Sequence, residues 1–215
     1  MNRNLVLAAS IVAGVSYWLV MQQSASGPGQ VAWKASGVGL LALWALLHPA
    51  GEARTIGTVM ALGAVADAVI AWNFAAGGAI FFVGHVIAIR LYLHNARPVL
   101  KGSQRMAAFA LALLVPVIAW RMSGRIEIGL YGIGLGLMAG TAWASWFPRY
   151  RVGIGALAFV ASDLLIFARM GPLADSMAPR LLVMPLYYVG QLMICTGVVW
   201  ASAQAGSSTE PSAAR

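Results

Sequence analysis

The chain has 215 residues, 60% hydrophobic and only 9% charged, with a formal net charge of +8 and a mean hydropathy of +0.80. A soluble domain carries roughly 25% charged residues, because its surface faces water, so that class is excluded and lipid is the expected surroundings. The net charge does not mark a nucleic-acid binder, since Lys and Arg punctuate the ends of apolar runs instead of gathering on one face, and Cys195, the sole cysteine, excludes a disulfide framework or a cysteine-based metal site.

Apolar runs near the ~20 residues that cross a bilayer recur along the whole chain. They predict an all-α membrane protein, a bundle of about eight transmembrane helices with short loops, at residues 4–21, 31–48, 55–73, 77–95, 105–121, 126–145, 151–169 and 181–203. The first run has a rival reading as a cleaved signal peptide ending near Ser24-Ala25-Ser26, but it is long for one and its positive start is only Arg3. Turn residues separate the later runs: Ser26-Gly27-Pro28-Gly29, Pro49-Ala50-Gly51, Ala75-Ala76-Gly77-Gly78, Ser123-Gly124, Pro148, and Gly171-Pro172 with Pro179. Such short links make successive helices antiparallel neighbours. In the sixth run, Gly132, Gly134, Gly136 and Gly140 superficially resemble a dinucleotide loop. Inside an apolar run, small residues at this spacing are better read as places where helices approach closely. Residues 1–203 therefore form one transmembrane domain, and the polar, small-residue stretch 204–215 is expected to be a disordered tail.

Trp18, Trp33, Trp72, Trp120, Trp146 and Trp200 fall near segment ends, as an interfacial belt would. Lys and Arg are unevenly divided. Arg3, Arg54, Arg97, Lys101, Arg105, Arg149, Arg151 and Arg215 share the side of the N-terminus, against Arg121, Arg125, Arg169 and Arg180 opposite, with Lys34 near the membrane edge. The bias predicts both termini cytoplasmic, and the chain is expected to be a multi-pass protein of a bacterial inner membrane.

Ionisable groups inside a membrane helix cost roughly 2.5–3.5 kcal/mol each on insertion scales, so each calls for a reason. Asp67, Asp163 and His85 lie within apolar runs, Lys34 just inside the second helix, and Tyr187, Tyr188 and Gln191 on the eighth. Taken singly, each has a plain structural explanation: an interhelical hydrogen bond for the Asp or the His, snorkelling for Lys34, and a bond back to its own helix for Ser162. Counted from the side opposite the termini, however, all fall in one layer roughly 5–15 Å deep, at ~1.5 Å per residue. Two carboxylates, a cation and an imidazole at one depth on separate helices predict a shared polar cavity.

At these same residues the chain resembles the YhhN family of membrane lysoplasmalogenases. Lys34 stands at the family's Lys-Pro pair and Asp67 at its Gly-Asp. Phe81 to His85 is similar to its Phe-rich segment ending in His, Ser162-Asp163 to its Ser-Asp pair, and Tyr188 with Gly190-Gln191 to its closing Tyr-x-Gly-Gln. Ala35, Ala66 and Ala88 depart from the family's Pro, Gly and Tyr, while every ionisable position is kept. The resemblance implies hydrolysis of the vinyl ether bond of a lysoplasmalogen, giving a fatty aldehyde and glycerophosphoethanolamine or glycerophosphocholine. That chemistry wants one carboxylic acid that keeps its proton and one carboxylate beside it.

The expected roles are acid and base for Asp67 and Asp163 in either order, and proton relay or water orientation for His85. Lys34 is expected to hold the substrate phosphate, Ser162, Tyr188 and Gln191 to contact water or glycerol, and Phe81, Phe82, Leu164 and Leu165 to wall the alkenyl chain. No cofactor or metal is expected, because one His and two Asp lack the His/Cys cluster that holds zinc; the partners are a lysophospholipid and the bilayer, with no nucleic acid. The rival readings are a small proton-coupled transporter and a non-catalytic assembly protein.

Overall fold

The computed structural model describes residues 2–20, 27–49 and 51–208, and in it the apolar runs become eight α-helices. They are α1 (Arg3–Val20), α2 (Pro28–Leu46), α3 (Gly51–Val69), α4 (Phe74–His94), α5 (Gly102–Ser123), α6 (Ile126–Ala144), α7 (Ile154–Ala168) and α8 (Ala178–Ser208), with one π-helical turn (Arg149–Gly153) leading into α7. Helix ends coincide with the turn chemistry. Pro28 opens α2, where its missing N–H has no partner to lose. The Asn73 side chain accepts from the Ala76 N–H at 3.0 Å to start α4. Gly124 ends α5 in the left-handed region, at φ 68°, which a side chain would resist. The eighth helix runs to Ser208, into the stretch expected to be irregular; residues 209–215 of that tail, and Ser24-Ala25-Ser26, lie outside the described residues.

Six of the helices, α1, α4, α5, α6, α8 and the π-turn with α7, are long and apolar enough to cross a membrane on their own. The other two, α2 and α3, carry Gln30, Lys34, Glu52, Arg54 and Asp67, which dilute their hydropathy. They are also enclosed by neighbours: α2 packs on α1, α3 and α8, and α3 on α2, α4 and α8. Helices α3, α4, α6, α7 and α8 close into a ring, while α5 lies outside against α6 and α7. The outer face of α5 presents Phe109, Leu113, Leu114 and Val117, as a lipid-facing helix should.

The glycines of α6 let two helices come close. A Cβ at Gly132, Gly136 or Gly140 would sit 2.6–2.8 Å from backbone atoms of Pro116, Leu111 or Ala108 on α5, and one at Gly134 would meet the Phe82 ring of α4 at 2.6 Å. Those contacts are the small-residue packing expected in a membrane, where apolar area alone gives helices no reason to associate.

The two ends of the bundle differ. Toward the end carrying the C-terminus of α2 and the start of α3, the interior is solid: Leu41, Trp44, Ile56, Met60, Leu135, Phe147 and Val198 are essentially fully buried. Loops staple this end shut. Arg97 donates to the carbonyl of Ser145 at 2.8 Å, Trp146 to Asn95 Oδ1 at 2.7 Å, and Asn95 to Glu52 at 2.8 Å. The opposite end is open, and polar groups collect there.

Replacing Gly140 by Leu forces a side chain against the Ala108 carbonyl, and overpacking of this kind costs about 1–3 kcal/mol. The expected result is a lower melting temperature in detergent, with Gly78→Ala as a control, since a Cβ there meets nothing within 4 Å. Equal melting temperatures for the two variants would contradict the α5–α6 packing.

Candidate active site

A cavity of about 1240 Å³ occupies the open end, lined by residues of seven helices. Its polar lining includes Lys34 from α2, Asp67 from α3, Tyr131 from α6, Ser162 and Asp163 from α7, and Tyr187 from α8; Tyr17 of α1 completes it. The geometry follows from helix direction, because α3 and α7 end where α2, α4, α6 and α8 begin. Polar residues near those ends arrive at one level.

Two small networks stand in this layer. In the first, Lys34 Nζ lies 2.7 Å from Asp67 Oδ1, and the Tyr187 hydroxyl donates to Asp67 Oδ2 at 2.6 Å. The Lys34 ammonium is also 5.9 Å from the centre of the Tyr187 ring, and Gln191, one turn further along α8, is within hydrogen-bonding reach of the same phenol. Asp67 is almost fully buried, so the cation and the phenol replace water as its solvation. In the second network, the Tyr131 hydroxyl donates to Asp163 Oδ2 at 2.8 Å, and His85 Nε2 lies 3.0 Å from the same hydroxyl. A phenol has one proton, so a Tyr131 that donates to Asp163 accepts from His85, which fixes a proton on Nε2. Neither carboxylate of the two networks is held like the other: Asp67 has a cation, Asp163 a phenol backed by an imidazole.

Aromatic rings fill the space between the networks. Phe159 lies 5.5 Å from His85 and 5.6 Å from Tyr187 between ring centres, and Phe81 lies 6.1 Å from both Phe159 and Tyr187. Below them a small space of about 20 Å³ is bounded by His85, Gln191 and Tyr92, among others.

Not every expected residue faces the cavity. Tyr188 turns the other way: its hydroxyl is 2.8 Å from Ser10 Oγ, and its ring covers Gly14 of α1, so it joins α8 to α1. Its neighbour Tyr187 takes the cavity position, because adjacent helical residues diverge by about 100°. His85 and Gln191 border the small lower space and reach the large cavity through their phenol partners. Lys34 is committed to Asp67 at depth instead of standing ready for a phosphate near the surface. Ser162 donates to the Val183 carbonyl at 3.0 Å. Phe81 and Phe82 line the cavity, but Leu164 and Leu165 do not; Ile166 and Phe167, three and four residues after Asp163, share its face. Tyr131 was absent from the expected set, although it lies within two turns of the start of α6 and so at the same depth. Counting phenols with the charged groups would have found it. Among the described residues, no three His, Cys, Asp or Glu side chains converge to hold an ion.

Fold and site together define a multi-pass helical membrane protein with a polar, carboxylate-bearing cavity sunk into one end. Residues 29–198 match the YhhN family, and the chain belongs to that family. It is 31% identical over 151 residues to proteins named lysoplasmalogenase from Mycobacterium bovis and Mycobacterium tuberculosis, an overlap of 64% of this chain and 58% of theirs. The chain thus spans little more than half the length of these curated relatives. No solved structure matches it.

The ion pair makes a stability prediction. Removing Lys34 alone strands a buried carboxylate, and breaking a buried pair in this way costs about 3 kcal/mol or more. Lys34→Met should therefore lower the melting temperature in detergent clearly more than the double change Lys34→Met with Asp67→Leu. A double variant less stable than the single one would argue against the pairing.

Proposed function

We propose that the chain hydrolyses the vinyl ether bond of lysoplasmalogens, releasing a fatty aldehyde and glycerophosphoethanolamine or glycerophosphocholine. The observation that carries this reading is the unlike pairing of two carboxyl groups on one cavity: Asp67 with an ammonium, Asp163 with a neutral phenol. The names of the mycobacterial relatives and the family membership point the same way.

In the proposed reaction Asp163 is the acid. Its proton goes to the alkenyl carbon beta to the ether oxygen, and the electron pair of the double bond forms the new C–H bond. The alpha carbon becomes an oxocarbenium ion. Asp67, held as a carboxylate by Lys34 and Tyr187, stabilises that cation and accepts a proton from the water that adds to it. The hemiacetal then collapses: its hydroxyl proton passes to Asp163, the C–O bond to glycerol breaks with its electron pair leaving on the glycerol oxygen, and that oxygen takes the proton held by Asp67. One water is consumed and both carboxyl groups return to their starting states. Tyr131 and His85 hold Asp163 in place and can resupply its proton; the rings of Phe81 and Tyr187, on the cavity wall, are placed to meet the cationic intermediate. Ser162, on the cavity wall, is assigned to the glycerol or to water, and Gln191, beside the small lower space, to water.

A proton-coupled carrier would need polar groups continuing to the other face. The solid apolar packing of Leu41, Ile56, Met60 and Leu135 below the cavity favours an enzyme over a carrier.

The test is aldehyde release from a lysoplasmalogen by the purified protein in detergent or liposomes. Asp67→Asn and Asp163→Asn should each lower the rate 10²- to 10⁴-fold, the usual contribution of a positioned acid or base. Tyr131→Phe should lower it less, because Asp163 itself survives. No aldehyde from the wild-type protein, or full activity in both Asn variants, would refute the assignment.

A further inference from the structure

The polar floor of the cavity accounts for the reacting bond but not for the rest of an amphiphile. Two features at higher levels are not used by the proposed chemistry. The first is the mouth. Arg125, at the start of α6, Arg169, at the end of α7, and Arg180, at the start of α8, all line the cavity where it opens, and all three are exposed. Glu127 is also at the mouth and pairs with Arg125 through contacts of 2.6–2.7 Å, in a solvent-exposed pair that a stronger anion can displace. Among the described residues that line the mouth, three carry guanidinium groups and one a carboxylate. Planar guanidinium groups suit the oxygens of a phosphate, which accept two N–H bonds in parallel. Lys34 is not available for that task, being bound to Asp67 below.

The second feature is an apolar edge between α4 and α6. Phe74, Phe82, Val83 and Leu130 line the cavity and stay 37–59% exposed, so this stretch presents uncovered apolar surface. All four belong to the first halves of α4 and α6, which are pinned together lower down where Phe82 covers Gly134. Above that contact, Gly78 borders the cavity with nothing within 4 Å of the place its Cβ would occupy. Both helices are long and apolar enough to cross a membrane, so this edge lies at a level that lipid chains reach.

Resting on the hydrolase reading for the site between them, we propose that these two features bind a single-chain lipid with a phosphate headgroup. The phosphate sits among Arg125, Arg169 and Arg180, and the chain leaves sideways between α4 and α6 into the bilayer. This arrangement keeps the glycerol and the adjoining ether bond at the level of Asp67 and Asp163. The lipid then never has to leave the membrane entirely to be bound.

A saturated alkyl ether lysophosphoethanolamine tests the site without chemistry, because it has no double bond to protonate. Its binding to the full chain in detergent is measured by native mass spectrometry, next to an alkylglycerol that lacks phosphate and glycerophosphoethanolamine that lacks the chain. The expected order is the intact lysolipid at least tenfold tighter than either part. Arg125→Gln with Arg169→Gln should erase the preference over the alkylglycerol, while Gly78→Phe should weaken both chain-bearing ligands and leave the melting temperature intact. Equal affinity for lysolipid and alkylglycerol in the wild type, or an unchanged preference in the arginine variant, would overturn the headgroup site. Undiminished binding by Gly78→Phe would overturn the side exit. If the wild type binds the saturated lysolipid in this pattern yet releases no aldehyde from its alkenyl counterpart, the hydrolase reading fails and the binding site stands.

Discussion

A carboxylate in the middle of a helical bundle has to be solvated by the protein, and this requirement organises the open end of the molecule. Asp67 receives an ammonium from α2 and a phenol from α8, so three helices are held in register around one side chain. Asp163 draws a phenol from α6 and, through it, an imidazole from α4. Four helices, α2, α4, α6 and α8, are thereby tied to α3 or α7 through polar contacts. Hydrocarbon supplies no competing partner, so each bond formed removes a cost of the kind that keeps charged groups out of membranes.

The same bundle achieves solidity at one end and space at the other with different residue types. Small residues do the first job: Gly132, Gly136 and Gly140 bring α6 onto α5, and the apolar interior closes around Leu41, Ile56 and Met60. Large aromatic rings do the second. Phe81, Tyr131 and Tyr187 line the cavity with aromatic rings instead of flexible aliphatic chains, and Phe159 packs behind Phe81 and Tyr187. Such rings have few rotamers, and a cavity bounded by them keeps its shape without a ligand.

Composition and the ~20-residue period made the helices legible, and counting residues from helix ends placed Lys34, Asp67, His85 and Asp163 at one level before any coordinates. Depth is a one-dimensional quantity, set by rise per residue, and a sequence carries it well. Direction around the helix is the other coordinate, and it depends on how each helix is rotated by its packing. That is why Tyr188 was expected where Tyr187 stands, and Leu164 and Leu165 where Ile166 and Phe167 stand. Glycine offers part of the missing information. Tyr188 faces Gly14 and Gly37, and a small residue at a helix crossing marks the face that meets a neighbour and so cannot meet a cavity. The oversight of Tyr131 has a separate origin, since a phenol costs little to bury and draws no attention on a charge count.

The two networks share a pattern, a phenol donating to a carboxylate, and differ in the third member. On Asp67 that member is a cation bonded to the carboxylate itself; on Asp163 it is an imidazole bonded to the phenol. A direct cation favours the charged carboxylate while the oxocarbenium ion forms beside it. A phenol backed by an imidazole supports either state, because both groups can pass a proton along without separating charge in a medium that penalises it. Acid work on a vinyl ether needs a group of the second kind, and stabilising the resulting cation needs one of the first. The division of labour proposed for the two aspartates therefore follows from what each is bonded to, and not from their positions along the chain.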